Sequence, residues 1–139
     1  VDTSTSTITG TTSTVDLKSF AVRPNRFARA GDMIAVKVSG QFAGPAGTKR
    51  ITVVAGGTTV AFPEGPVGQL EDWTVSIDII FTGSSGRLTA TYVDNIGNSY
   101  TQVATASLDA TAAWPITIKG RLSNAADSIT CNTLWAKLQ

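Results

Sequence analysis

Apolar and polar residues alternate along most of this chain, and the alternation is cleanest between residues 72 and 94. Trp73, Val75, Ile77, Ile79 and Phe81 share one parity, while Asp72, Thr74, Ser76 and Asp78 share the other. Successive side chains of a strand point to opposite faces, so the segment predicts a half-buried strand with one dry face. Ile80 is the strong apolar exception on the wet side. Thr82-Gly-Ser-Ser-Gly86 then supplies turn residues, and Leu88, Ala90 and Tyr92 resume the alternation. Together they predict an antiparallel hairpin.

The same reading extends in both directions. Val15 to Val22 predicts a strand whose apolar parity switches between Leu17 and Phe20, which places a bulge near Ser19. Met33 to Phe42 directs Ile34, Val36, Val38 and Phe42 inward. Lys49 to Ala55 directs Ile51 and Val53 inward, and Gly56-Gly57 predicts a tight turn into Thr58 to Phe62. Asp94-Asn-Ile-Gly-Asn98 reads as a hairpin turn before a weaker strand, Ser99 to Leu108. Trp114, Ile116 and Ile118 alternate up to Gly120, with Pro115 marking an edge or a strand start. In Ser128 to Leu138 the apolar parity switches between Cys131 and Leu134, so a second bulge is expected near Asn132. Eight to ten short strands separated by turn chemistry, with no helical periodicity, predict an all-β fold. Long connections such as 43–48, 63–69 and 109–113 favour an antiparallel, jelly-roll-like β-sandwich over an up-and-down barrel.

Residues 1–14 are nearly all hydroxyl side chains with Ile8 alone to bury. They predict a flexible or extended arm, or one that orders only against a neighbouring subunit. Residues 15–139 are expected to form a single domain, large enough to bury a core without staples. The net charge of +1 supplies no bulk field toward nucleic acid or a membrane surface. No apolar run approaches the roughly 18–20 residues that span a bilayer. No signal peptide is read, and an opening at Val1 rather than Met implies removal of residues or a numbering offset.

Candidate chemistry is sparse. Nucleophilic catalysis of the Ser-His-Asp or Cys-His kind needs an imidazole, and the chain contains no histidine. Cys131 is the lone cysteine, which excludes an internal disulfide and reads as a small buried hydrophobe. Glu64, Glu71, Asp72 and Asp78 are the acids closest in sequence, and they read as solvated charges on a loop and a strand face. No catalytic, cofactor-binding or metal-binding residue is expected, so the chain does not read as an enzyme. Lys18, Arg23, Arg26 and Arg29 form the densest charge, either as a solvated loop or as a docking surface for an acidic partner protein. Nucleic-acid binding fits poorly, since no strand interleaves basic and aromatic residues on one face. Trp73 and Trp114 lie on dry parities and read as core. Trp135 shares parity with Lys137 instead, which makes it a candidate subunit-interface residue.

The order of these motifs resembles that of a group of small tailed-bacteriophage virion proteins. The likeness runs from Phe20-Ala-Val-Arg-Pro-Asn-Arg-Phe-Ala-Arg-Ala-Gly-Asp-Met-Ile-Ala-Val-Lys-Val-Ser-Gly40 through Lys49-Arg-Ile-Thr-Val-Val-Ala-Gly-Gly57 and Asp72-Trp-Thr-Val-Ser-Ile-Asp-Ile-Ile-Phe-Thr-Gly83. It continues in Ile116-Thr-Ile-Lys-Gly120 and Ala126-Asp-Ser-Ile-Thr-Cys131 before a last apolar strand. The resemblance implies a jelly-roll or related sandwich, usually a homotrimer, displayed on a phage head or a tail appendage. Its expected partners are copies of itself and the major capsid protein or other virion proteins, with no cofactor, nucleic acid or membrane. Its expected place is the virion, assembled in the bacterial host cytoplasm. A head decoration or cement protein is the first expectation and a receptor-binding or fibre-tip domain the alternative. The arginine-rich 23–29 loop departs from the group.

Overall fold

A computed structural model describes residues 2–24, 29–44, 47–63, 70–108 and 111–138. Among these residues the ten strands are β1 (Ser6–Thr9), β2 (Val15–Val22), β3 (Met33–Ala43), β4 (Lys49–Ala55), β5 (Thr58–Ala61), β6 (Leu70–Phe81), β7 (Gly86–Asp94), β8 (Ser99–Ala106), β9 (Trp114–Leu122) and β10 (Ser128–Leu138). They form two antiparallel sheets, one ordered β1-β10-β3-β6-β7-β8 and the other β2-β9-β4-β5. Strand β10 sits between β1 and β3 while β9 sits between β2 and β4. The first four strands thus alternate between sheets and flank the last two, which is the wrapping of a jelly-roll-like sandwich.

Alternating residues from both sheets meet in the core. Val38, Val75, Ile77, Ile79, Val53, Ile116 and Ile118 are fully inaccessible. Trp73 stacks on Phe42 at 5.9 Å, and Tyr92 lies 5.7 Å from Phe62 and 5.9 Å from Tyr100. Trp73 closes over Gly40, where an added Cβ would lie 1.8 Å from the Thr130 carbonyl oxygen and 2.6 Å from the indole. Gly56 and Gly57 turn β4 into β5 with φ of 55° and 80°, a conformation glycine adopts without a steric cost.

The register shifts at the bulge between Cys131 and Thr133, as the parity switch around Asn132 requires. In β2 the shift falls between Asp16 and Lys18, two residues before the expected Ser19. Leu17 and Lys18 are therefore consecutive and both buried. The hydroxyl-rich arm is extended, and it lies on its own chain: β1 pairs with β10, Asp2 exchanges both backbone hydrogen bonds with Leu134, and Ile8 belongs to the core.

Candidate functional site: an open edge between the sheets

The arm closes one side of the sandwich over the inward-facing Lys18. The Lys18 ammonium donates to the Ser4 carbonyl and to Ser4 Oγ at 2.7 Å, and pairs with Asp2 at 2.9 Å. The hydrogen bond from Lys18, with two more from Ser4, holds the Asp2 carboxyl well below its ordinary range. Lys18 therefore cannot belong to a docking surface. The sequence grouped it with the loop arginines, but the bulge at Leu17 turns it inward, where an arm of main-chain and hydroxyl oxygens satisfies it.

The arm meets β10 last, among the described residues, at the Asp2–Leu134 bridge. Among the described residues no strand pairs with β10 on this side beyond the Asp2–Leu134 bridge, and β2 pairs with β9 alone. A notch of about 390 Å³ opens between the two strand edges, lined by Phe20, Ala21, Val22, Arg23, Ile34, Ala136 and Lys137. Its lining mixes apolar side chains with polar surface, and its charged residues are both cations. Arg23 and Lys137 are exposed, and neither forms an ion pair among the described residues. Of the other expected docking residues, Arg29 is exposed beside the start of β3, and its backbone N–H donates to Asp32 Oδ2 at 3.0 Å. Arg26 lies outside the described residues.

Trp135 stands on the outer face of the six-stranded sheet, 40% exposed and directly across from Lys37. Around it that face is covered with hydroxyls. Ser39 and Thr133 are bonded at 2.6 Å, and Thr91 and Thr101 at 3.2 Å.

Buried ionisable groups gather elsewhere, and sequence reasoning missed them. Glu71 was expected to be solvated but is 4% exposed, because it shares the inward parity of Trp73 and Val75. Its Oε2 has no hydrogen-bond partner among the described residues. Burial pushes its carboxyl above the ordinary range, the nearby Asp94 charge adds to this, and Lys49 opposes it. For Asp94, burial also raises the carboxyl, yet bonds from the Asn98 side chain and amide, Tyr92 and Ile96 outweigh it and leave the group lowered. The Tyr92 hydroxyl donates to Asp94 Oδ2 at 3.0 Å, and burial followed by this bond raises the phenol far out of reach of neutral pH. Lys49 and Asp127, each 1% exposed, lie 3.4 Å apart. Lys49 also donates to the carbonyls of Gly44 and Gly47, which fixes the connection before β4. The signal that could have found these groups is parity, since Lys49 alternates with Ile51 and Val53, Glu71 with Trp73, and Asp94 with Tyr92. Asp94, Lys49 and Asp127 brace turns, while Glu71 does not. Among the described residues no set of three metal-ligating side chains converges.

No family model matches the chain, and no curated protein matches it. Among solved structures it is similar to lectin I-B4 from Griffonia simplicifolia in its metal-free form. That likeness has 10% identity and a TM-score of 0.45, over 86% of this chain and 78% of that one. It is also similar to a polysaccharide lyase family 18 protein, aly-SJ02 r-CATD, at 11% identity and a TM-score of 0.41, over 100% of this chain and 89% of that one. Likenesses this distant say nothing of function, and the β-sandwich rests on the two sheets themselves.

Proposed function

We propose that this chain is a structural protein of a tailed-bacteriophage particle, a head decoration or cement protein that trimerises and docks on the shell. The phage assignment is supported by the order of motifs from Phe20 to Cys131. The observation that carries a docking role is the notch at the β2–β10 edge, where Phe20 and Ala136 lie beside Arg23 and Lys137, two cations that form no ion pair among the described residues. A mixed lining with two exposed cations suits an acidic protein surface, because charges steer the encounter and whatever apolar area is buried helps hold the complex. Trp135, exposed beside Lys37, is the residue proposed for contact between copies.

A receptor-binding role on a tail appendage is the second reading. Ile96, 51% exposed at the tip of the β7–β8 turn, favours it. The other loops expected to touch a receptor fall largely outside the described residues, at 45–46, 64–69 and 109–110. Imaging the particle with a labelled chain separates the two readings. Hundreds of copies over the head support decoration, a few at the tail support recognition, and absence from the particle overturns both. On heads, the double change Arg23→Glu, Lys137→Glu is expected to weaken attachment and flatten its salt dependence.

A further inference from the structure

Two of the buried charges sit within bond-forming reach. Lys49 opens β4 in the four-stranded sheet, and Asp127 immediately precedes β10 in the six-stranded sheet. Each is 1% exposed, and Lys49 Nζ lies 3.4 Å from Asp127 Oδ2. The carbonyls of Gly44 and Gly47 accept from Nζ at 2.7 and 3.1 Å, so these two and Asp127 occupy the three directions beyond the lysine chain. A neutral amine has two N–H bonds and one lone pair. With the carbonyls holding the N–H bonds, the lone pair faces the carboxyl. We propose that Lys49 and Asp127 condense into an intramolecular amide, an isopeptide bond tying one sheet to the other, with Glu71 as proton carrier. This goes beyond the particle role and does not depend on it.

Burial disfavours charge, so passing one proton from a buried ammonium to a buried carboxylate costs less than it does in water. That step leaves an amine beside a carboxylic acid whose hydroxyl oxygen is Oδ1. The nitrogen lone pair forms the N–Cγ bond, and the Cγ=Oδ2 π pair moves onto Oδ2. The Gly47 N–H, 2.7 Å from Oδ2, stabilises the charge that develops there. A second proton leaves the nitrogen and reaches Oδ1, Cγ=Oδ2 re-forms, and the Cγ–Oδ1 pair departs with a water molecule. Nothing is oxidised or reduced, and no co-reactant is consumed. Glu71 is suited to carry the second proton. It is 4% exposed, its Oε2 has no hydrogen-bond partner among the described residues, and the Lys49 charge acts on it. Glu71 stands opposite Phe42, which stands opposite Ile129, two residues beyond Asp127, so both carboxyls belong to one end of the six-stranded sheet. Fixed neighbours and the exclusion of water replace the activating agent that amide formation needs in solution.

The intact mass of the denatured full chain reads the bond directly. It is expected to fall short of the sequence mass by one water, and a protease digest to join the peptide holding Lys49 to the one holding Asp127. Lys49→Arg keeps the cation but supplies no amine to attack, so it is expected to return the full mass. Glu71→Gln is expected to slow the loss of water about a hundredfold, the usual scale for a lost proton carrier. It should therefore be isolated at full mass while keeping the near-ultraviolet signal of a buried Trp73. Wild type that stays at full mass after prolonged incubation in the folded state would overturn the proposal. Water lost within a single peptide, as in a succinimide, would overturn it as well, and so would an equal loss from Lys49→Arg. Complete reaction of Glu71→Gln would overturn the proton-carrying role. The wild-type digest decides the bond even if neither variant folds.

Discussion

Lys18 reaches out of β2 to lie 2.9 Å from Asp2, sixteen positions earlier in the chain, with the hydroxyl-rich arm folded back so that it and the sandwich share one ion pair. The cation is almost fully buried and the carboxylate is about half exposed. The geometry makes the arm part of the sandwich edge and leaves Arg23, Arg29 and Lys137, not Lys18, exposed.

Ile8 carries the apolar share of that attachment. It is 3% exposed and packs with Leu17 and Ile129 around Gly120. Ile8→Ala is expected to cost roughly 2–4 kcal/mol, by lost transfer energy and a residual cavity. Denaturant unfolding would measure the loss. Exchange at Ile129 and Cys131, which pair with β1, should quicken more than exchange at Val75 in the sheet centre. A loss below about 0.5 kcal/mol, the range of surface changes, would show that the arm is peripheral.

Gly40 is the position where the core tolerates least. Its missing side chain admits the Thr130 carbonyl and the Trp73 indole, and a Cβ would overlap the carbonyl oxygen at 1.8 Å. Backbone cannot rotate away as a flexible side chain can. Gly40→Ala is expected to destabilise by about 3 kcal/mol or more and to change the near-ultraviolet signal of Trp73. An alanine variant of wild-type stability with the same Trp73 signal would contradict the register of β3 against β10.

Parity in the sequence was enough to place the central hairpin, the Asn132 bulge and the burial of Trp73 and Trp114, because period-two burial is a property of every strand with one dry face. It failed at Lys18. A bulge sets two consecutive residues on one face, and its position depends on pairing with β9, which no local pattern encodes. The arm was half legible: one apolar residue among hydroxyls gives a weak local signal, and its placement comes from a free edge of β10 far along the chain. The notch was not legible at all, since Phe20, Ile34 and Ala136 are brought together only by the crossing of β2, β3 and β10.

Glu71 links the interior to pH. Its carboxyl is raised above the ordinary 4.5 by burial and by Asp94. A raised folded-state value means that the contribution to stability is present below the unfolded value and lost as pH rises through the folded one. Wild type should therefore lose stability relative to Glu71→Gln as pH climbs from about 4.5 toward neutrality. Parallel urea titrations of the two proteins across that window would reveal the difference. A constant gap between them would show that Glu71 does not titrate differently on folding.

Trp135 offers a direct reading of association. Trp73 and Trp114 are 1% and 8% exposed against 40% for Trp135, so collisional quenching should reach one indole of the three. Lys37 faces it across the β3–β10 pair and Lys137 lies on the same outer face, so an anionic quencher should be concentrated there. Iodide is expected to quench Trp135 more strongly than caesium, and the excess should shrink as salt screens the lysines. Trp135→Phe should abolish the quenchable component while changing stability by no more than about 0.5 kcal/mol, as befits an outer-face residue. If copies meet through this face, raising the protein concentration will protect the indole and shift its emission to the blue, in step with a larger sedimentation coefficient. Association that leaves iodide quenching unchanged would place the contact between copies on another surface.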